Sequence, residues 1–263
     1  MGGYGAVVYG ALLGVDVIVA TGAVLRLFEP GSRSLGFVKN FGRAGKLRPP
    51  DLCETVANAR GRFFLYLGEH CYPDLASARM IMELSNVFVT TLENFSHWLV
   101  NYIEWRYGLL RFVMFHLEQE RVFPFEDGET GDLAGWCEHW DLLHQGALGW
   151  LEPQRGLLVE QIRQSTDSRW EMHCRLALCQ GATRSGFHQR AVKQAEKALH
   201  ACPESGDAAR RLVRALRPAG APPSEWLKVA AEIRDLNRPQ VFESARSLLR
   251  AMAHSASRRR PLE

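Results

Sequence analysis

Three short apolar runs, rich in β-branched and aromatic residues, punctuate the first hundred positions: "VDVIVATG" (15–22), "RFFLYLG" (62–68) and "NVFVTTLEN" (86–94). Continuous apolar runs of this length, bounded by turn residues, predict strands buried on both faces, as in a parallel sheet. Ahead of the first, "GYGAVVYGALL" (3–13) carries small and apolar residues at helical spacing, which predicts a helix packed closely on the sheet and ended by Gly14. "DLCETVANA" (51–59) and "DLASARMIMELS" (74–85) also read as helices. Asp74 is positioned to cap the second, because a carboxylate there accepts orphan backbone N–H groups. A long apolar helix is predicted from Trp98 to Glu120, with its aromatic stripe against the sheet. Residues 24–50 form a polar excursion studded with turn residues.

This alternation predicts fold class α/β: a small parallel sheet flanked by helices. Right-handed crossovers bring the C-terminal ends of the strands to one edge, where ligand sites gather in such sheets. That edge collects Thr21–Gly22, the stretch "GEHCYPD" (68–74) and "ENFSH" (93–97). From residue 123 onward the pattern is helical throughout, with turn-rich stretches at 123–132 and 217–225. The expected organisation is an α/β part over 1–122, a connection with helices over 123–168, an all-α region over 169–250 and a basic tail over 251–263.

Composition narrows the function classes. The chain has 263 residues, 46% hydrophobic and 23% charged, with a formal net charge of +3. That charge is too small to argue for nucleic acid or an anionic membrane as partner. The apolar run 5–25 has no basic residue before Arg26 and carries Asp16 in its middle, which argues against both a signal peptide and a membrane span. A cytoplasmic location is expected. The six cysteines form no CxxC pair, so reduced thiols are expected rather than a disulfide framework or a zinc ribbon. In "WCEHWDLLH" (136–144), His139 and His144 fall about 140° apart on a helix, so three ligands do not share a face and no metal site is predicted. No cofactor is expected. Two open edges of a three-stranded sheet leave a homodimer as one way to cover them.

Read singly, the polar residues at the strand ends are ambiguous: Asp74 suits a helix cap, His97 a loop or cap position, and Gly2–Gly3 a tight turn. Their order is more informative. "MGGYGA" followed by a helix is similar to what comes just after the nucleophile elbow G-x-S-x-G, where a strand reverses into a helix through small residues. Over residues 1–120 the chain resembles the C-terminal part of an α/β-hydrolase domain. The resemblance implies that His97, at the start of the last helix, is the general base. It implies Asp74 as the acid that orients the base, with Glu69 as the alternative acid, and the N–H of Met1 as one oxyanion donor. "YPDLASAR" looks like the aspartate-containing stretch of a bacterial branch of these hydrolases, whose members often occur beside tetratricopeptide repeats. The implied chemistry is serine esterase or acyl-hydrolase chemistry on a small acyl substrate. No serine precedes Met1, so a chain beginning there is expected to form no acyl-enzyme by this route.

"GFHQRAVKQAEKALHACP" (186–203) resembles the second half of a tetratricopeptide repeat, with Gly186, Ala191, Ala198, Leu199 and Pro203 at its small and turn positions. Arg175, Cys179 and Ala182 depart from the first-helix pattern, and a plain helical bundle is the alternative. A repeat surface implies a protein or peptide partner. The competing reading of the whole chain is therefore a non-catalytic interaction scaffold.

Overall fold

The structure, a computed structural model, describes residues 2–25, 51–93, 95, 99–127, 129–222, 224–225 and 228–229. The chain divides into two compact units, 1–144 and 145–263. In the first, α1 (Gly2–Leu12) leads into β1 (Val17–Thr21), and α2 (Leu52–Ala57) into β2 (Arg62–Gly68). Then follow α3 (Tyr72–Ala78), β3 (Val87–Leu92), α4 (Leu99–Tyr107), α5 (Leu109–Gln119) and a 3₁₀ segment (Asp132–His139). The three strands form one parallel sheet in the order β1-β2-β3, with Val17 opposite Arg62 and Phe63 opposite Val87. The expected α/β class and parallel sheet are therefore present.

The physical reasons are visible in the residues. β2 is the central strand, and six of its seven residues are buried, which is why both faces are apolar. Phe64 and Tyr66 point into a core with Leu92, Leu99, Tyr102, Ile103, Phe112 and Phe123. α1 lies close to β1 because its glycines permit it: a Cβ on Gly10 would stand 2.6 Å from Ile18, and one on Gly3 would stand 2.8 Å from Ala23 Cα. Asn86, just before β3, donates from Nδ2 to the carbonyls of Val56, Ala59 and Gly61 at 3.1–3.2 Å. That side chain ties the α2–β2 turn to the start of the next strand.

Several sequence expectations change. The helix predicted over 74–85 begins at Tyr72, with Cys71 as its N-cap, and ends at Ala78. Asp74 is thus inside the first turn and fully buried, rather than the N-cap. Pro73, near the helix start, fits there because its missing N–H is not needed in the first turn. The long helix predicted from 98 to 120 is two helices broken at Gly108, whose φ of 76° few other residues adopt. The turn-rich stretch after it is hydrogen-bonded onto the sheet unit: Glu93 N–H donates to Glu129 O, Gly131 N–H to Thr91 O, and the Thr91 hydroxyl to Gly131 O. Residues 129–131 thereby run antiparallel to the end of β3.

The second unit contains α7 (Glu152–Gln164), α8 (Ser168–Arg184), α9 (His188–Ala201) and α10 (Gly206–Leu216); α6 (Trp140–Leu148) spans the division between the units. Asp167 caps α8 by accepting from the N–H groups of Arg169 and Trp170. Ser205 caps α10 by accepting from Ala208 N–H. α8, α9 and α10 pack through a core of small residues that includes Ala182, Ala191, Ala195 and Ala215, with Leu212 and Leu216. Gly186, with φ at 77°, turns the chain from α8 to α9. Gly181 lets the backbone of 146–149 approach so closely that a Cβ would lie 2.2 Å from Gly146 O. In α10 the buried carboxylate of Asp207 pairs with both Arg210 and Arg211, one turn along the same helix.

Among the described residues no helix is long and apolar enough to cross a membrane. All six cysteines are unpaired. Burial pushes the Cys179 thiol up to about 11 and the Cys174 thiol higher still, so neither supplies a thiolate near neutrality.

Candidate site at the C-terminal edge of the sheet

The parallel strands bring the loops after β2 and β3 together at one edge. Glu69 N–H donates to Leu92 O at 3.1 Å, and His70 N–H to Phe95 O at 3.0 Å. The stretch 68–74 therefore lies against residues 92–95, as the strand order predicts. Gly22, just past β1, donates to Tyr66 O, which fixes the end of the first strand on the same edge. Ser77 of α3 accepts from Leu25 N–H at 3.0 Å and donates to Asp74 O at 2.8 Å. The backbone after β1 is thus fastened to the helix that carries Asp74.

The two candidate acids occupy different surroundings. Glu69 is buried at the end of β2, and its Oε1 accepts from Leu133 N–H at 2.9 Å. The donor is a first-turn amide of the 3₁₀ segment, where an anion is favoured both by free N–H groups and by the backbone dipoles. Gly131 forms the wall beside it: a Cβ there would stand 1.7 Å from Glu69 Oε1. Asp74 is fully buried in the first turn of α3. His97 and Met1, the expected base and oxyanion donor, lie outside the described residues, as do 26–50 and the tail 251–263.

One polar cluster was not legible in the sequence. Glu129 accepts from the hydroxyls of two α4 residues, Tyr102 on Oε1 and Tyr107, the last of the helix, on Oε2. Glu126 N–H donates to Oε2 at 3.1 Å, and Arg106 Nε stands 3.9 Å from Oε1. Burial, with the bonded Glu129 carboxylate adding to it, pushes the Tyr107 phenol up to about 12. A phenol raised so far stays protonated and donates, so Tyr107 serves as a hydrogen-bond donor to Glu129. Tyr102 and Tyr107 are five apart in sequence and 22–27 positions from Glu129, a separation that no local spacing rule connects.

A second buried chain of hydrogen bonds crosses the core beneath this edge. Phe123 N–H donates to Tyr66 Oη at 2.9 Å, Tyr66 Oη donates to His116 Nε2 at 2.6 Å, and His116 Nδ1–H donates to Phe112 O at 2.7 Å. This order requires a neutral imidazole protonated on Nδ1. Burial lowers the His116 pKa and raises that of Tyr66, so both groups are held uncharged. The ring packs edge-on against Phe64, Phe112 and Phe115.

Among the described residues, no group of three or more His, Cys, Asp or Glu side chains is placed to hold a metal ion. What the edge offers is a buried carboxylate in a helix turn, a second carboxylate anchored on backbone N–H, and two loops tied together by main-chain hydrogen bonds. Compared with known proteins, the chain matches no protein-family model, no curated protein and no solved structure.

Proposed function

We propose that the first unit is an α/β-hydrolase-like domain of serine esterase or acyl-hydrolase type, in which Asp74 orients His97 as the general base. The observation that carries this reading is the parallel order β1-β2-β3, with the loop after β2 hydrogen-bonded to the loop after β3. In a domain of this type the acid follows one strand and the histidine the next, and residues 69–70 are hydrogen-bonded to 92 and 95, just ahead of position 97. Of the two acids, Asp74 is preferred because it falls in the stretch "YPDLASAR" that carries the resemblance; Glu69, whose Oε1 accepts from Leu133 N–H, is the alternative. The nucleophile in this reading is a serine immediately before Met1. It attacks the acyl carbon while His97 takes its proton and returns it to the leaving group.

The test is direct. In-frame codons for Gly-X-Ser are expected immediately upstream of Met1, and a chain extended through them is expected to label with a fluorophosphonate probe and to lose labelling on His97→Ala. An in-frame stop at that place, or labelling of the extended chain that survives His97→Ala, contradicts the proposal.

For the second unit, the antiparallel α8–α9 pair with its small-residue core supports a peptide-binding, tetratricopeptide-like module. Ala191 and Ala198 are fully buried, and Gly186 makes the turn between the helices.

A further inference from the structure

The outward face of α5 is apolar. Phe112 and His116 point inward and are buried, while Leu110, Val113, Met114 and Leu117 point away and are exposed, Leu110 by 75% and Leu117 by 54%. Their spacing of i, i+3, i+4, i+7 makes one continuous stripe along the helix. A helix that has already buried one apolar face has no need of a second for folding the sheet unit, so this stripe calls for a partner.

The flanking charges say which partner. Arg111 and Glu118 are both exposed and lie seven residues apart. Seven residues bring a helix to within about 20° of two full turns. The two charges therefore sit on the same flank of the stripe, one near each end and of opposite sign. An antiparallel copy of the helix, related by a two-fold axis perpendicular to both, keeps the flank and reverses the direction. Each Arg111 then meets the other copy's Glu118, twice per pair. A parallel copy puts these charges on opposite sides of the seam and pairs none of them.

We propose that α5 is a self-association surface: two copies of this chain pack their Leu110–Val113–Met114–Leu117 stripes antiparallel, with Arg111 of each against Glu118 of the other. The interface is isologous, as two-fold dimers are. Four side chains from one helix cover only part of the roughly 800 Å² per partner of a standard stable interface, so the association is reversible and concentration-dependent. This inference is independent of the hydrolase reading.

Sedimentation velocity of the full chain over a wide concentration range tests it. The weight-average sedimentation coefficient is expected to rise with concentration toward that of a dimer. Leu110→Asp is expected to leave a monomer at every concentration. Arg111→Glu and Glu118→Arg are each expected to weaken the dimer by about tenfold, because two exposed ion pairs become two like-charge pairs. The combined swap Arg111→Glu/Glu118→Arg is expected to restore it. A wild-type chain that is monomeric throughout overturns the proposal, as does a dimer indifferent to Leu110→Asp. A double swap that stays as weak as the single changes overturns the antiparallel pairing. A stripe occupied by a different protein, with no self-association, overturns the choice of partner.

Discussion

Gly131→Ala is expected to destabilise the sheet unit by about 1–3 kcal/mol, through the buried carboxylate that it displaces. The added Cβ lands 1.7 Å from Glu69 Oε1 and 2.1 Å from its Cδ. The rigid backbone at 131 gives little room to yield, since it is bonded to Thr91 in both directions. Glu69 must leave, and Leu133 N–H loses its acceptor. The effect should therefore be non-additive. In a Glu69→Ala background the collision is gone, and Gly131→Ala should cost only a small fraction of its wild-type penalty. Chemical denaturation, with hydrogen exchange at the β2 and β3 amides as a readout specific to this unit, measures both values. Equal costs in the two backgrounds would show that the contact does not govern the region.

Tyr66→Phe is the second. It removes one oxygen and leaves no cavity of consequence, yet it strands the Phe123 N–H and His116 Nε2 in the core. Two unsatisfied buried groups predict a loss of about 2–4 kcal/mol. The same chain sets a pH dependence. Burial lowers the folded pKa of His116 below its ordinary value of 6.5, so the unfolded chain binds the proton more readily. The contribution of His116 is fully present above about pH 6.5 and is lost as pH falls from there through the lower folded value. His116→Gln, whose amide oxygen still accepts from Tyr66, should flatten that part of the stability profile while retaining most of the stability at pH 8. A profile whose acid slope is unchanged in His116→Gln would assign the dependence to other groups.

How far the sequence reveals such features depends on how local they are. The strands were legible because β2 is buried on both faces and its residues say so one by one. The close approach of α1 to β1 was legible because small residues, Gly3 and Gly10 among them, recur at helical spacing. The pattern places Asp74 at a helix start, but the helix begins two residues earlier and buries it. The Pro73 beside it, which moves the true start to Tyr72, was passed over. Gly108 was read through for the same reason: apolar periodicity continues across it, and only its positive φ breaks the helix. The Glu69–Leu133, Glu129–tyrosine and Tyr66–His116 contacts join residues that are 22 to 64 positions apart, and no spacing rule reaches so far. The outward stripe of α5 was visible as apolar residues, but both faces of the helix are apolar, and periodicity alone does not say that only one of them meets the sheet.

The proposed pairing of Asp74 with His97 is tested most directly by the titration of His97. In a long-range ¹H–¹⁵N experiment on the full chain, with the His97 signals assigned by their loss in His97→Gln, a neighbouring carboxylate raises the imidazole pKa and favours the Nδ1–H tautomer. The account predicts that Asp74→Asn lowers the His97 pKa and abolishes the tautomer preference, while Glu69→Gln, with its side chain still anchored at Leu133, leaves both unchanged. A His97 whose pKa and tautomer are the same in wild type and Asp74→Asn contradicts it.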